Sequence, residues 1–253
     1  GKTEGWHDAA FFNMCRPLEL VFSQGMDKGE MVGVPTKDIS EMHSFEDFYD
    51  AYKQQMDYCI SLMVNADNAI DVAHGERCPL PFLSSMIDDC IKKGKSTQEG
   101  GAVYNFTGPQ GFGIANMADS LYAIRKLVFE EKQFTLGELK EALIWNYGKG
   151  LDQQSVQDLA QGILKEAENA GRQVDEKMTE AVVQSVLSMK LSKEKISRYE
   201  EIRNKILEVP KFGNDIPEVD YFAREVAYTY SKPLQKYNNP RGGKFQAGLY
   251  PVS

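Results

Sequence analysis

The stretch YNFTGPQGFGIANMADSLYAIRKL, Tyr104 to Leu127, sets Gly108, Gly111 and Gly113 between an aromatic, extended start and a segment of helical spacing. No other part of the chain restricts the fold as much. An extended piece must run into a helix across residues that tolerate φ > 0 or the close approach of another backbone. The outline is that of a phosphate loop, but the chemistry is missing. A Walker loop needs Lys then Ser/Thr after its last glycine; here Ile114 and Ala115 follow Gly113. The dinucleotide fingerprint needs Gly-x-Gly-x-x-Gly, and the spacing here is reversed. These glycines therefore predict packing of neighbouring elements rather than nucleotide binding.

Helix punctuation is clear elsewhere. Phe11, Met14, Leu18 and Val21 recur at helical spacing, with Gly25 and Gly29 as stops. Ser44 and Asp47 form a capping-box pattern before Phe45, Phe48, Tyr49, Tyr52, Met56, Cys59 and Met63, which predicts a long helix to about His74. A shorter helix is expected from Phe82 to Lys93, stopped by Gly94. Asn116 is read as the cap of a helix whose apolar face is Met117, Leu121, Ile124 and Val128. Thr135 with Glu138 opens another helix to about Asn146. Residues 151–208 predict two or three solvated helices, and Pro217 opens a further one that Pro233 ends or kinks. Strands are expected only around 103–106 and 245–252. The whole reads as a helix-rich α/β architecture.

Composition excludes several classes of function. A net charge of −8 repels phosphate backbones and anionic lipid, so neither nucleic acid nor membrane is an expected partner. No apolar run approaches the ~20 residues of a membrane span. Cys15, Cys59, Cys78 and Cys90 form no CxxC pair, which leaves a zinc ribbon or redox motif unsupported and suits reduced thiols in a cytoplasmic protein. His74-Gly75-Glu76 has the His-x-Glu of zinc deaminases without the later Pro-Cys-x-x-Cys, so no metal site is expected. The chain opens on Gly-Lys-Thr and closes on Tyr-Pro-Val-Ser, and both ends read as cuts through a longer protein.

Two stretches hold candidate site residues. In Trp6-His7-Asp8 a carboxylate stands beside an imidazole among Trp6, Phe11 and Phe12. Spacing alone favours an exposed pair in a loop; the other reading is a cavity for hydroxyl-bearing molecules. In Asn239-Pro240-Arg241-Gly242-Gly243-Lys244-Phe245, a guanidinium follows a rigid proline and precedes two glycines. Arg241 could take an anionic ligand bidentately or form an ion pair that fastens a turn.

Four stretches together resemble one family: GKTEGWHDAAFFN (1–13), PLPFLSSMIDDCIKKGKSTQEGGAVYNFTGPQGFGIANMADSLYAIRKLVFEE (79–131), PKFGNDIPEVD (210–220) and NPRGGKFQAGLYPVS (239–253). They are similar to the glycyl radical enzymes of the pyruvate formate-lyase superfamily. The nearest likeness is to the glycerol-dehydratase-like and sulfite-lyase-like branch. The resemblance is weakest over 148–208, where a longer version is similar to the isethionate or sulfopropanediol sulfite-lyases. It implies that 1–253 is the central part of a ten-stranded α/β barrel of pyruvate formate-lyase type wrapped by helices, with 148–208 a surface helical insertion.

The family's two radical motifs, Cys-Val-Glu and Arg-Val-x-Gly-Tyr, do not occur in this chain. The resemblance therefore implies a middle slice of a glycyl radical lyase or dehydratase that is inactive alone. The intact protein would break a C–O or C–S bond next to a hydroxyl-bearing carbon of a small metabolite. Within this chain it implies Asp8 and Tyr250 as catalytic residues of the substrate cavity, with His7, Arg241 and Phe245 near it. It implies no bound cofactor. A radical S-adenosylmethionine activating enzyme would install the glycyl radical on a full-length homodimer. The other readings are a formate C-acetyltransferase type of enzyme and a non-catalytic binding module that keeps the barrel segment.

Overall fold

The structure, a computed structural model, describes residues 1–250; of Glu4, Trp6, His7 and Asp8 it describes the backbone but not the side chains. Its elements run β1 (Thr3–Asn13), α1 (Arg16–Phe22), β2 (Met26–Asp27), β3 (Glu30–Met31), α2 (Phe45–Arg77), α3 (Pro81–Ser85), α4 (Cys90–Lys93), β4 (Tyr104–Phe112) and α5 (Ile114–Ala123). A π-helical segment, Ile124–Glu130, continues α5. Then come α6 (Leu136–Ile144), α7 (Gln153–Asn169), α8 (Glu176–Ser188), α9 (Lys193–Glu208), α10 (Pro217–Leu234) and β5 (Gly248–Leu249). The chain forms two compact units, one of residues 1–17, 56–119 and 215–253, the other of 18–55 and 120–214.

The first unit holds a three-stranded parallel sheet in the order β1-β4-β5. Thr3 pairs with Tyr104 and His7 with Gly108; the register then slips, and Phe11 pairs with Gln110. Three residues of β1 (Asp8, Ala9 and Ala10) thus oppose Pro109 alone. On the other side of β4, Gln110 pairs with Gly248, and an isolated bridge joins Thr107 to Phe245 in the same register. Gly111 is required by a close approach: a Cβ there would stand 2.3 Å from Met14 Cε and 2.7 Å from the Tyr230 ring. Gly113, at φ +92°, turns the strand directly into α5, a conformation that side chains rarely adopt. Helix α10 supplies Val219, Phe222, Val226 and Tyr230 to this core, all buried, and Tyr230 stacks on Phe12 at 5.1 Å between centroids.

In the second unit the Ser44 box closes as expected. The Asp47 amide donates to Ser44 Oγ at 3.1 Å, and the Ser44 amide donates to Asp47 Oδ2 at 3.2 Å. Thr135 and Glu138 cap α6 in the same way. Phe22 and Phe129 both lie against Phe48 (5.7 and 6.4 Å between centroids). Helices α7 and α8 bury Val156, Ala160 and Val186 as a small core of their own, with Leu151, Leu159, Val182 and Val183 around it.

Several expectations need correction. Phe11 belongs to β1, not to a helix, and is 69% exposed. The β1 strand and the β2–β3 hairpin were not anticipated, and β4 reaches Phe112 rather than stopping near Phe106. The segment 82–93 divides into α3 and α4 because Asp89 takes φ 75°. Asn116 lies inside α5, which starts at Ile114, so it is not a cap. Leu127, rather than Val128, completes the buried stripe after Ile124. Of the second expected strand, 245–252, only Gly248–Leu249 is regular among the described residues, and 251–252 lie outside them. Among the described residues, no helix is long and apolar enough to cross a membrane.

Candidate functional site

The parallel sheet of the first unit distributes the candidate residues by the alternation of strand side chains. Thr107 and Gly111 face the α10 side, where Tyr230 lies against Gly111. Gly108 and Gln110 face the other way. Because Phe245 shares the row of Thr107, it goes with the first face, where it is fully buried. Tyr250 lies two residues beyond Gly248, the partner of Gln110, and so falls on the second face. Its amide donates to Gly111 O at 3.2 Å, and its side chain is 57% exposed.

His7 and Asp8 sit in a strand, which corrects the loop expected from spacing. The backbone of His7 pairs with Gly108, and Asp8 opens the bulge before Phe11. Bulges of this kind bend a strand and re-aim a side chain, and they recur beside active sites. The side chains of both residues lie outside what is described.

Arg241 serves the ion-pair reading. It is 4% exposed; its Nε donates to Asp71 Oδ2 at 2.9 Å, and its Nη2 donates to Phe106 O at 2.9 Å and Thr107 Oγ1 at 3.2 Å. The turn around it is stitched to β4. Asn239 Nδ2 donates to Asn105 O at 3.1 Å and to Thr107 Oγ1 at 3.0 Å, and the Gly243 amide donates to Asn239 Oδ1 at 2.8 Å. The guanidinium thus fastens residues 238–245 to the strand on the Thr107 face. Arg241 and Phe245 do not share a face with Tyr250, so these candidates do not converge on one cavity.

Sequence reasoning missed a buried carboxyl pair. Asp67 and Asp71 lie one helical turn apart on α2, in line with buried Ile60 and Val64. Asp71 carries the Arg241 ion pair, while its Oδ1 and Asp67 Oδ2 have no hydrogen-bond partner among the described residues. Burial, and then the Asp71 charge, push the Asp67 carboxyl up to about 6. Burial, with the Asp67 charge, pushes the nearby Tyr230 phenol up; its hydroxyl donates to Pro109 O at 3.1 Å. The available signal was two aspartates continuing an apolar helical stripe. Gln110, on the opposite face of β4, was also missed; it is 2% exposed, with Oε1 unpaired among the described residues.

Among the described residues, no group of three or more His, Cys, Asp or Glu could hold a metal ion. An open groove of about 720 Å³ in the second unit, lined by Ile39, Met42, Phe129, Phe134 and Arg198 among others, contains none of the candidate residues.

The parallel strand, glycine and helix form an α/β arrangement. The model of the pyruvate formate lyase-like family matches residues 1–253, and the chain belongs to that family. Its sheet and helices are part of that family's α/β barrel. It is 30% identical over its whole length to (2S)-3-sulfopropanediol dehydratase of Klebsiella oxytoca, of which it covers 25%. A solved structure concerned with 1,2-propanediol dehydration in Roseburia inulinivorans is 60% identical, with a TM-score of 0.96 over 100% of this chain and 30% of that one. The glycerol-bound B12-independent glycerol dehydratase of Clostridium butyricum is 45% identical, with a TM-score of 0.73 over 99% of this chain and 26% of its own. The chain thus spans about a quarter of the relatives' length.

Proposed function

We propose that this chain is the central barrel segment of a glycyl radical dehydratase. The intact protein would remove water from a small neutral diol or polyol by breaking the C–O bond next to a hydroxyl-bearing carbon. The likeness at 60% identity, over the whole chain, to the structure concerned with 1,2-propanediol dehydration carries this reading. A thiyl radical housed elsewhere in the polypeptide would supply hydrogen abstraction from the substrate. This chain's part is to wall the chamber, exclude water and hold hydroxyl groups. Asp8, on the bulge of β1, would accept hydrogen bonds from the substrate, and Tyr250, exposed on the Gln110 face of the sheet, would line the chamber. The backbone of His7, beside Asp8, pairs with Gly108.

Arg241 decides between leaving groups. Release of sulfite would call for a cation at the sulfonate, and Arg241 was the candidate for it. That guanidinium is instead sealed against Asp71 and β4, which favours the neutral substrate over isethionate or sulfopropanediol. The parent would be a cytoplasmic homodimer activated by a radical S-adenosylmethionine enzyme, with 148–208 as a helical insertion on its surface. The test is anaerobic activation of the full-length protein followed by incubation with 1,2-propanediol and glycerol. An aldehyde product, dependent on the radical signal, is expected. A radical-bearing protein that forms no aldehyde from either diol would refute the proposal.

A further inference from the structure

Gln110 lies on the open face of the sheet, in a row with Phe11 on one side and Gly248 on the other. Phe11 and, one row further on, Tyr250 are exposed there, yet Gln110 is 2% exposed. Nε2 makes a marginal contact, 3.5 Å, with Gly108 O, two residues back. Oε1 has no hydrogen-bond partner among the described residues. A Cβ on Gly248 would stand 2.1 Å from Oε1 and 2.9 Å from Nε2. The amide is therefore seated over one glycine and beside another, with its acceptor unused. A buried acceptor left without a donor carries an unrecovered desolvation cost, which is regained when a donor arrives.

The chemistry of an amide defines what fits. A hydroxyl can donate to Oε1 and accept from Nε2 at once, whereas a sulfonate or carboxylate offers lone pairs alone and would leave Oε1 unpaired against a negative group. We propose that Gln110 is a specificity-determining substrate contact whose amide holds a hydroxyl of a neutral diol, with Gly248 required to keep the amide in its seat. The inference rests on the dehydratase reading and names a residue that recognises its substrate.

The experiment uses the full-length protein with Gln110→Met, which keeps the volume and removes both hydrogen-bonding atoms, and with Gly248→Ala, which displaces the amide. Binding of 1,2-propanediol and glycerol to the unactivated protein is measured by calorimetry. After activation, kcat/KM is measured per radical, with the radical counted by electron paramagnetic resonance. Both variants should bind diol about 10- to 100-fold more weakly and lose kcat/KM to a similar extent, as expected when a site's hydroxyl partner is removed. The radical yield and the melting temperature should stay at the wild-type level. Diol binding within twofold of wild type in Gln110→Met overturns the inference while the dehydratase reading stands. So does a fall in radical yield and melting temperature matching the loss of binding, which would make Gln110 structural. A wild-type protein that binds and converts neither diol overturns the dehydratase reading, and this inference with it.

Discussion

Replacing Asp67 by asparagine should stabilise the chain, and the gain should grow with pH. Asp67 is 7% exposed on α2, and burial with the Asp71 charge raises its carboxyl from 3.8 to about 6. The folded state therefore holds this proton more tightly than the unfolded chain does. Its stabilising effect is complete below 3.8 and is lost as pH rises through about 6. At 1.36 kcal/mol for each tenfold change in proton affinity, full loss corresponds to about 3 kcal/mol. Some water still reaches the carboxyl, so about 1–2.5 kcal/mol between pH 4 and pH 8 is a sounder expectation. The carboxamide of the Asp67→Asn variant carries no charge at either pH and escapes the loss. The assay is thermal unfolding of wild type and Asp67→Asn from pH 4 to pH 8, followed by far-ultraviolet circular dichroism. The variant should match the wild type to within a degree or two near pH 4. At pH 8 it should melt about 2–10 °C higher, given ~2–4 °C per kcal/mol for a chain of this size. A constant difference across the range, or a gain largest at pH 4, would refute the assignment of Asp67 as the titrating buried acid.

Other substitutions probe the remaining parts of the account. Arg241→Ala should destabilise by about 3–5 kcal/mol, because it leaves Asp71 buried and unpaired, while Arg241→Met with Asp71→Leu should regain most of that in the same melts. Gly111→Ala should cost about 1–3 kcal/mol, since the new methyl meets Met14 and Tyr230; a neutral result would show that this contact yields freely. Ser44→Ala should cost about 1 kcal/mol through loss of the α2 cap, read as a lower urea midpoint. In the activated full-length protein, Asp8→Asn should abolish most turnover with the radical signal intact; unchanged turnover would remove Asp8 from the site.

The parts of the fold that were legible in the sequence are those with local causes. The Ser44 and Thr135 boxes, Pro217 at the start of α10 and Gly94 after α4 are decided within a few residues by capping and backbone geometry, and each appears where its pattern lies. The failures have non-local causes. Residues 3–13 form a strand because β4 lies alongside to pair with them, a partner a hundred residues away, and Phe11 at apparent helical spacing misleads there. The break at Asp89 depends on a left-handed residue that no glycine announces. The candidate site was legible only as a set of motifs. Which face of β4 each residue occupies depends on register, and register placed Arg241 and Phe245 opposite Tyr250. Asp67 and Gln110 escaped notice because an acid on a helix and an amide in a strand look ordinary until their burial is known.

Relative specificity in the activated full-length protein tests the central claim most directly. The quantity is kcat/KM for water loss from 1,2-propanediol against that for sulfite release from isethionate and sulfopropanediol. A site that meets its substrate with the Asp8 carboxylate and the Gln110 amide, with Arg241 locked to Asp71, predicts turnover of the diol and little or no sulfite. Preferred release of sulfite, or turnover of neither class by a protein that carries its radical, would contradict it.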